Sequence, residues 1–205
     1  MSHYFTNENI ASNLSKISVK INDKSFTFFT DNGIFSKKGL DFGSRSLLNS
    51  LLKEPISGNG LDVGCGNGAI GIILSSFFHI QMDMIDVNKR ALHLAARNVK
   101  EQKLENINIF ESNVYENVTK KYDFIVTNPP IRAGKEIVYK ILFLAKDYLK
   151  KNGVLYFVVN KDQGAKSAIR DLEKISSVEV LDKSKGFYIV KVKFDWQLDM
   201  FVVII

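Results

Sequence analysis

A single cysteine, Cys65, is all the disulfide chemistry this chain of 205 residues could draw on. It excludes an internal disulfide framework and fits a reducing compartment. Long hydrophobic runs are lacking too: no apolar stretch reaches the roughly 18 residues that cross a bilayer. Residues 1–8 have neither a charged start nor an apolar run, so no signal peptide is expected. His3, His79 and His93 show no ligand spacing, and no metal site is expected. Internal repeats and low-complexity tracts are also missing. What remains is a cytoplasmic chain of one full core, with room for a small N-terminal extension.

Hydrophobic residues make up 45% and charged residues 24%, the balance of an ordinary globular domain rather than a disordered chain. A net charge of +6 and a pI near 9.2 favour a polyanionic partner such as nucleic acid, through counterion release. Lysines that merely solvate the surface are the competing explanation.

Residues Ile17–Ile21 and Ser25–Thr30 alternate in polarity around Asn22-Asp23-Lys24 and predict a β-hairpin. Residues 31–39 form a glycine-punctuated basic loop. A short helix is expected from Arg45 to Leu52, with Ser44 as its N-cap. From Gly60 onward strands and helices alternate. Strands are expected at 61–63, 80–86, 106–111, 122–127 and 153–160. Helices are expected at 69–78, 89–101 (capped by Asn88), 137–149 and 163–174. This alternation implies βαβ units in a mostly parallel sheet. The last two strands, near 178–181 and 186–194, are separated by only four residues, too few for a parallel crossover, so they must run antiparallel. The expected fold class is α/β: a doubly wound, Rossmann-like, mostly parallel seven-stranded sheet with an antiparallel C-terminal hairpin and a small N-terminal β-hairpin extension. The expected division is an extension over 1–52, a core over 53–194 and a tail over 195–205. That tail could add a strand, contact another subunit or extend unpacked.

The chain is organised around Asp62-Val63-Gly64-Cys65-Gly66-Asn67-Gly68, an acid ending an apolar stub, then glycines at alternate positions, then an apolar helical pattern. The order reads as strand, tight turn and helix, with β-carbons removed where a ligand approaches main chain. Ligands of open α/β sheets sit beyond the strands' carboxyl ends, where Asp62, the turn, Asp86, Asn113 and Asn128 should converge. Asp86 follows the turn at about the 20-residue offset of a ribose-binding carboxylate. A dinucleotide and S-adenosylmethionine both fit that pattern. An acid just before the glycines would repel a pyrophosphate but suits an α-amino group, which favours S-adenosylmethionine.

Asn128-Pro129-Pro130 closes the fourth core strand. An amine conjugated to a purine or an amide keeps its lone pair in the π system. Two acceptors aimed at its N–H bonds, the Asn128 side-chain oxygen and the Pro129 carbonyl, can draw that lone pair toward a methyl group. Pro130 restricts Pro129 to extended backbone and keeps its carbonyl out of a helix. Catalysis would then rest on positioning and preorganised dipoles.

With these residues in view the chain resembles the class I S-adenosylmethionine-dependent methyltransferases. More closely, it is similar to the "small" methyltransferase-domain family, which includes ribosomal small-subunit RNA guanine-N2 methyltransferases. The similarity is carried by residues 3–5, 31–36, 40–44, 61–66, 113–115 and 128–135, and extends from the N-terminus to about Lys193. It implies that Asp62, Gly64 and Gly66 hold the methionine end, Asp86 the ribose and Asn113 the adenine edge. Gly43 and Ser44 would line the methyl-donor pocket, and Asn128 and Pro129 would grip the target amine. The implied function is methylation of an exocyclic amine of RNA, guanine N2 of small-subunit ribosomal RNA above others. Adenine N6, a protein glutamine amide, or RNA binding without catalysis are the alternatives.

Two positions depart from the family's pattern. The residue after the two prolines is often aromatic and stacks on an extruded base, whereas here it is Ile131, which leaves stacking to another residue such as Phe35. The adenine-edge position is often Asp and here is Asn113, whose amide can still pair with adenine. Cys65 sits among the cofactor-side residues as a small space-filler, since methyl transfer to an amine needs no thiolate. Arg132 and Lys135 are candidates to hold RNA phosphate, with a solvated loop as the alternative.

Overall fold

The computed structural model describes residues 13–32, 39–130 and 133–196. An antiparallel hairpin comes first: β1 (Ser15–Ile21) and β2 (Lys24–Thr30) pair from Ser15↔Thr30 to Ile21↔Lys24. Helix α1 (Phe42–Leu51) leads to β3 (Asn59–Val63), α2 (Ala69–Phe78), β4 (Gln81–Asp86), α3 (Lys89–Glu101), β5 (Ile107–Glu111) and β6 (Tyr122–Thr127). Then follow α4 (Lys135–Tyr148), β7 (Leu149–Asn160), α5 (Ala165–Leu172), β8 (Ser176–Ser184) and β9 (Phe187–Phe194).

The larger sheet has seven strands in the order β5-β4-β3-β6-β7-β9-β8. Its first five strands are parallel, and β9 runs antiparallel to both β7 and β8. This is the mostly parallel architecture with an antiparallel C-terminal hairpin that the alternation of elements predicts. From β3 the chain winds outward through β4 to β5, then returns to lay β6 on the other side of β3. The point of reversal opens a crevice at the carboxyl ends of β3 and β6.

Side chains alternate between two core layers, as the pleat requires. Leu61, Ile85, Ile125, Leu155, Phe157 and Val190 pack under α4 and α5. Met82, Met84, Phe124, Val126, Tyr156 and Val158 pack under α1, α2 and the N-terminal hairpin. The hairpin is tied down by polar contacts as well. Fully buried Asn98 accepts from the Phe29 N–H (2.6 Å) and donates to the carbonyls of Phe29 (3.1 Å) and Asn67 (2.9 Å). Arg90 donates to Asp31 Oδ2 through Nε (3.0 Å) and Nη2 (2.7 Å). The extension is thus fastened to α3 and to the turn after β3.

Among the boundaries that differ from the sequence reading, three have a clear physical cause. Helix α1 starts at Phe42 with Asp41, not Ser44, as its cap: Asp41 is extended (φ −62°, ψ 160°) and accepts from the Ser44 N–H. Strand β7 begins at Leu149, directly after α4, because Leu149 pairs with Tyr122 ahead of a register shift before Phe124. Left-handed Gly164 ends a 3-10 turn (Lys161–Gln163) and delays the helix expected over 163–174, so that α5 spans Ala165–Leu172. Phe35, Ile131, Arg132 and residues 197–205 of the tail lie outside the described residues. No described helix is long and apolar enough to cross a membrane.

Candidate active site

At the end of β3 the chain is pinned to its neighbour: the Gly64 and Cys65 N–H groups both donate to the Ile85 carbonyl at 2.9 Å. Gly66 then turns at φ +57°, and a β-carbon added there would meet no atom within 4 Å. Backbone geometry, not crowding, demands the glycine, and the open side faces a cavity of about 490 Å³. Gly71, one turn into α2, is needed for the opposite reason. A β-carbon there would strike Met84 Sδ and lie 3.3 Å from Asp62 Oδ2. That close approach lets the Gly71 N–H donate to Asp62 Oδ2 at 3.0 Å.

Asp62 is fully buried, and its other oxygen, Oδ1, meets no donor among the described residues. Burial pushes its carboxyl up to about 7; the Gly71 N–H opposes this and nearby Asp86 adds to it. Asp62 is not on the cavity lining, which takes in β3 only from the next residue, Val63; a buried acceptor without a donor there suits a cationic group such as an ammonium. Asp86 lines the cavity and accepts from the Gly66 N–H through Oδ2 (2.9 Å) and the Asn88 N–H through Oδ1 (2.8 Å). Burial raises its pKa, and those main-chain donors hold it back. The Val87 N–H is a third main-chain donor to this carboxylate, which still retains acceptor capacity for a ribose hydroxyl. Asn113 lines the same cavity, with its Nδ2 on Glu116 Oε1 (2.9 Å) and its carbonyl oxygen turned elsewhere. Cys65 also lines it. Burial, with Asp86 and Asp62 nearby, holds its thiol well above the ordinary range, so it stays protonated. Asp86, Asn113 and the glycine turn on the cavity wall thus fit S-adenosylmethionine, with Asp62 one residue behind that wall.

Strand β6 brings the second cluster. Thr127 Oγ1 donates to the Val63 carbonyl at 2.8 Å, which locks the end of β6 against the end of β3. Asn128, Pro129 and Pro130 follow and line the cavity. Asn128 Nδ2 donates to Ser44 Oγ (2.9 Å) and to Asp41 Oδ1 (3.3 Å). A carboxylate can only accept, so the amide nitrogen must face α1 and the amide oxygen must turn away from it. Among the described residues no donor occupies that oxygen. Ser44 therefore serves Asn128 as well as the cavity wall.

Gly43 is buried and does not line the cavity. A β-carbon there would stand 3.1 Å from both Asp41 Oδ1 and the Phe187 ring, so its smallness lets α1 approach β9. Lys135 opens α4, outside the cavity lining, with its ammonium 4.8 Å from the Tyr139 ring centroid. Sequence reasoning missed Asp41, Phe42 and Phe187, all on the cavity wall. The Asp41-to-Ser44 offset of a helix cap could have flagged the first; nothing local points to Phe187.

Comparison with known proteins agrees with this geometry. Residues 25–191 match the methyltransferase small domain. Uncharacterized protein YbxB of Bacillus subtilis (strain 168) is 43% identical, over 93% of this chain and 98% of that protein. Ribosomal RNA small subunit methyltransferase C of Psychromonas ingrahamii is 30% identical over 84% of this chain, which spans about half of that relative's length (50%). Among solved structures, the T. thermophilus 16S rRNA N2 methyltransferase RsmC, in complex with AdoMet and guanosine, superposes with a TM-score of 0.79 at 22% identity, covering 89% of this chain and 51% of that one. The chain belongs to the methyltransferase small domain family and, with it, to the S-adenosylmethionine-dependent methyltransferases.

Proposed function

We propose that this protein methylates an exocyclic amine of RNA in the cytoplasm, with guanine N2 of small-subunit ribosomal RNA as its substrate. The observation that carries this reading is the fixed Asn128 amide, whose nitrogen is held by Ser44 and Asp41 and whose oxygen is left for a substrate donor. An amino group attached to a purine has two N–H bonds. Asn128 Oδ1 and the Pro129 carbonyl accept from them, which turns the nitrogen lone pair out of the ring plane. S-adenosylmethionine supplies the methyl group on a sulfonium, so the nitrogen needs alignment rather than a strong base.

Asp62 binds the α-ammonium, Asp86 the ribose hydroxyls and Asn113 the adenine edge, while Gly64, Cys65 and Gly66 form the floor. Arg132 and Lys135 serve RNA phosphate, and Phe35 and Ile131 serve the base. The net charge of +6 supports an anionic substrate over a neutral one. In this reading residues 53–194 form the catalytic core and the N-terminal hairpin and α1 complete it. Incubation with radiolabelled donor and small ribosomal subunits from a strain lacking the protein tests it, followed by nucleoside mass analysis. N2-methylguanosine is expected. Label in adenosine N6 or in protein alone would replace guanine as the target.

A further inference from the structure

Ile131 offers no ring for a base to stack on, yet the cavity wall carries two. Phe42 opens α1 immediately after Asp41, and Phe187 opens β9 opposite Asn160, at the carboxyl end of β7. Both are partly exposed and both line the cavity that contains Asn128. Their centroids lie 5.6 Å apart with planes at 48°, an aromatic corner rather than a closed stack. Half-wet aromatic faces beside aligned hydrogen-bond acceptors suit a nucleobase, which is flat, apolar on its faces and polar at its edge.

The adjoining turn adds charge. Lys185 and Gly186 close the β8–β9 hairpin, with Ser184 paired to Phe187, and both take positive φ (47° and 82°). Such a turn favours Asn-Gly, and lysine is held there against local preference, a strain of the sort that gathers at functional sites. Lys185 Nζ stands 4.9 Å from the Phe42 centroid. The Lys161 N–H donates to the Gly186 carbonyl at 2.7 Å, so a second lysine is fixed beside the turn. Lys183 lies over the Tyr188 ring at 5.1 Å. Among the described residues none of these three lysines forms an ion pair with a carboxylate.

We infer that the Phe42–Phe187 corner receives the extruded target base and that Lys185, flanked by Lys161 and Lys183, binds the phosphates beside it. The inference rests on the RNA reading above. It adds the C-terminal hairpin to the substrate side and assigns to Phe42 and Phe187 the base stacking that Ile131 has no ring to provide.

Phe187→Leu keeps apolar volume and removes the ring. With small ribosomal subunits as substrate, kcat/KM should fall roughly tenfold or more, the scale of a lost base–aromatic stack. Calorimetric affinity for S-adenosylmethionine should stay within about twofold, and Phe187→Trp should restore most of the rate. Lys185→Asn suits the turn better, so Tm should hold or rise. RNA affinity should still fall, and the slope of log affinity against log salt should shrink by a little under one. Wild-type kcat/KM in Phe187→Leu, or a parallel loss of cofactor binding, would overturn the stacking role. An unchanged salt slope in Lys185→Asn would overturn the phosphate role. Should the unsubstituted protein place no label in RNA, the proposed function itself fails. If it labels RNA and both variants match it, only these two roles fail.

Discussion

On the donor side of the crevice, Gly64, Cys65 and Gly66 are fixed by their own main-chain N–H groups, which donate to the Ile85 carbonyl and to Asp86. On the acceptor side, Asn128 is fixed by side chains 87 and 84 positions earlier, Asp41 and Ser44. The first arrangement depends on backbone shape with one carboxylate, Asp86, as its side-chain support, so most other side-chain changes around it leave it standing. The second depends on one rotamer held by two oxygens, so single substitutions disarm it. The two halves should therefore fail separately, one as lost affinity for the methyl donor and the other as lost turnover.

The largest effect is expected from Asn128→Ala, which should cut turnover by roughly two to three orders of magnitude, as removal of a preorganised polar contact does. Cofactor affinity by calorimetry should stay within about twofold; a matching loss of both would mean the halves are not separable. Asp62→Asn comes next. Losing a charged partner for an ammonium should weaken cofactor binding roughly ten- to a hundredfold, with kcat at saturating donor within about threefold. Ser44→Ala removes one of the two acceptors on Asn128 and leaves the Asp41 cap intact. A three- to tenfold drop in kcat at constant cofactor affinity is expected, about the net value of one neutral hydrogen bond. If cofactor affinity falls instead, Ser44 belongs to the donor side.

The smallest effect is on stability. Asp62 holds its proton to about pH 7 when folded but loses it near 3.8 when unfolded. Its contribution is therefore complete below the unfolded value and is lost as pH rises through about 7. Between pH 5 and 8 the Tm of the ligand-free protein should fall relative to Asp62→Asn by several degrees, and saturating S-adenosylmethionine should flatten the difference. A pH-independent gap between the two proteins would mean that Asp62 is ionised throughout.

Features set within a few residues of one another were legible in the sequence. Helix α3 runs from Lys89 to Glu101 with Asn88 accepting from the Arg90 and Ala91 N–H groups, as the cap and periodicity predict. Strand β6 and the antiparallel ends of the chain follow the same logic. The glycine turn was legible because backbone need shows directly as missing β-carbons. Where reading fell short, the deciding contact was elsewhere or two local signals competed. Ser44 and Asp41 are both good caps, and Asp41 takes the role while Asn128 engages both. Gly43 reads as part of a ligand pocket, yet its neighbours are Asp41 and Phe187, the latter placed by a strand 144 positions later (187 − 43). Ile131 was read from the family resemblance and Lys135 from its place after the two prolines, and of the two only Lys135 lies within the described residues, against Tyr139.

Because β3 and β6 are hydrogen-bonded neighbours, the Gly64 turn and Asn128 leave the sheet one strand apart, a step of about 4.8 Å. In the function proposed above the sheet thus acts as a ruler: the gap between the turn assigned to the methyl donor and the Asn128 assigned to the acceptor is inherited from peptide hydrogen-bond length. Loops around the rim can change in sequence, and with them the acceptor admitted, without altering that reach.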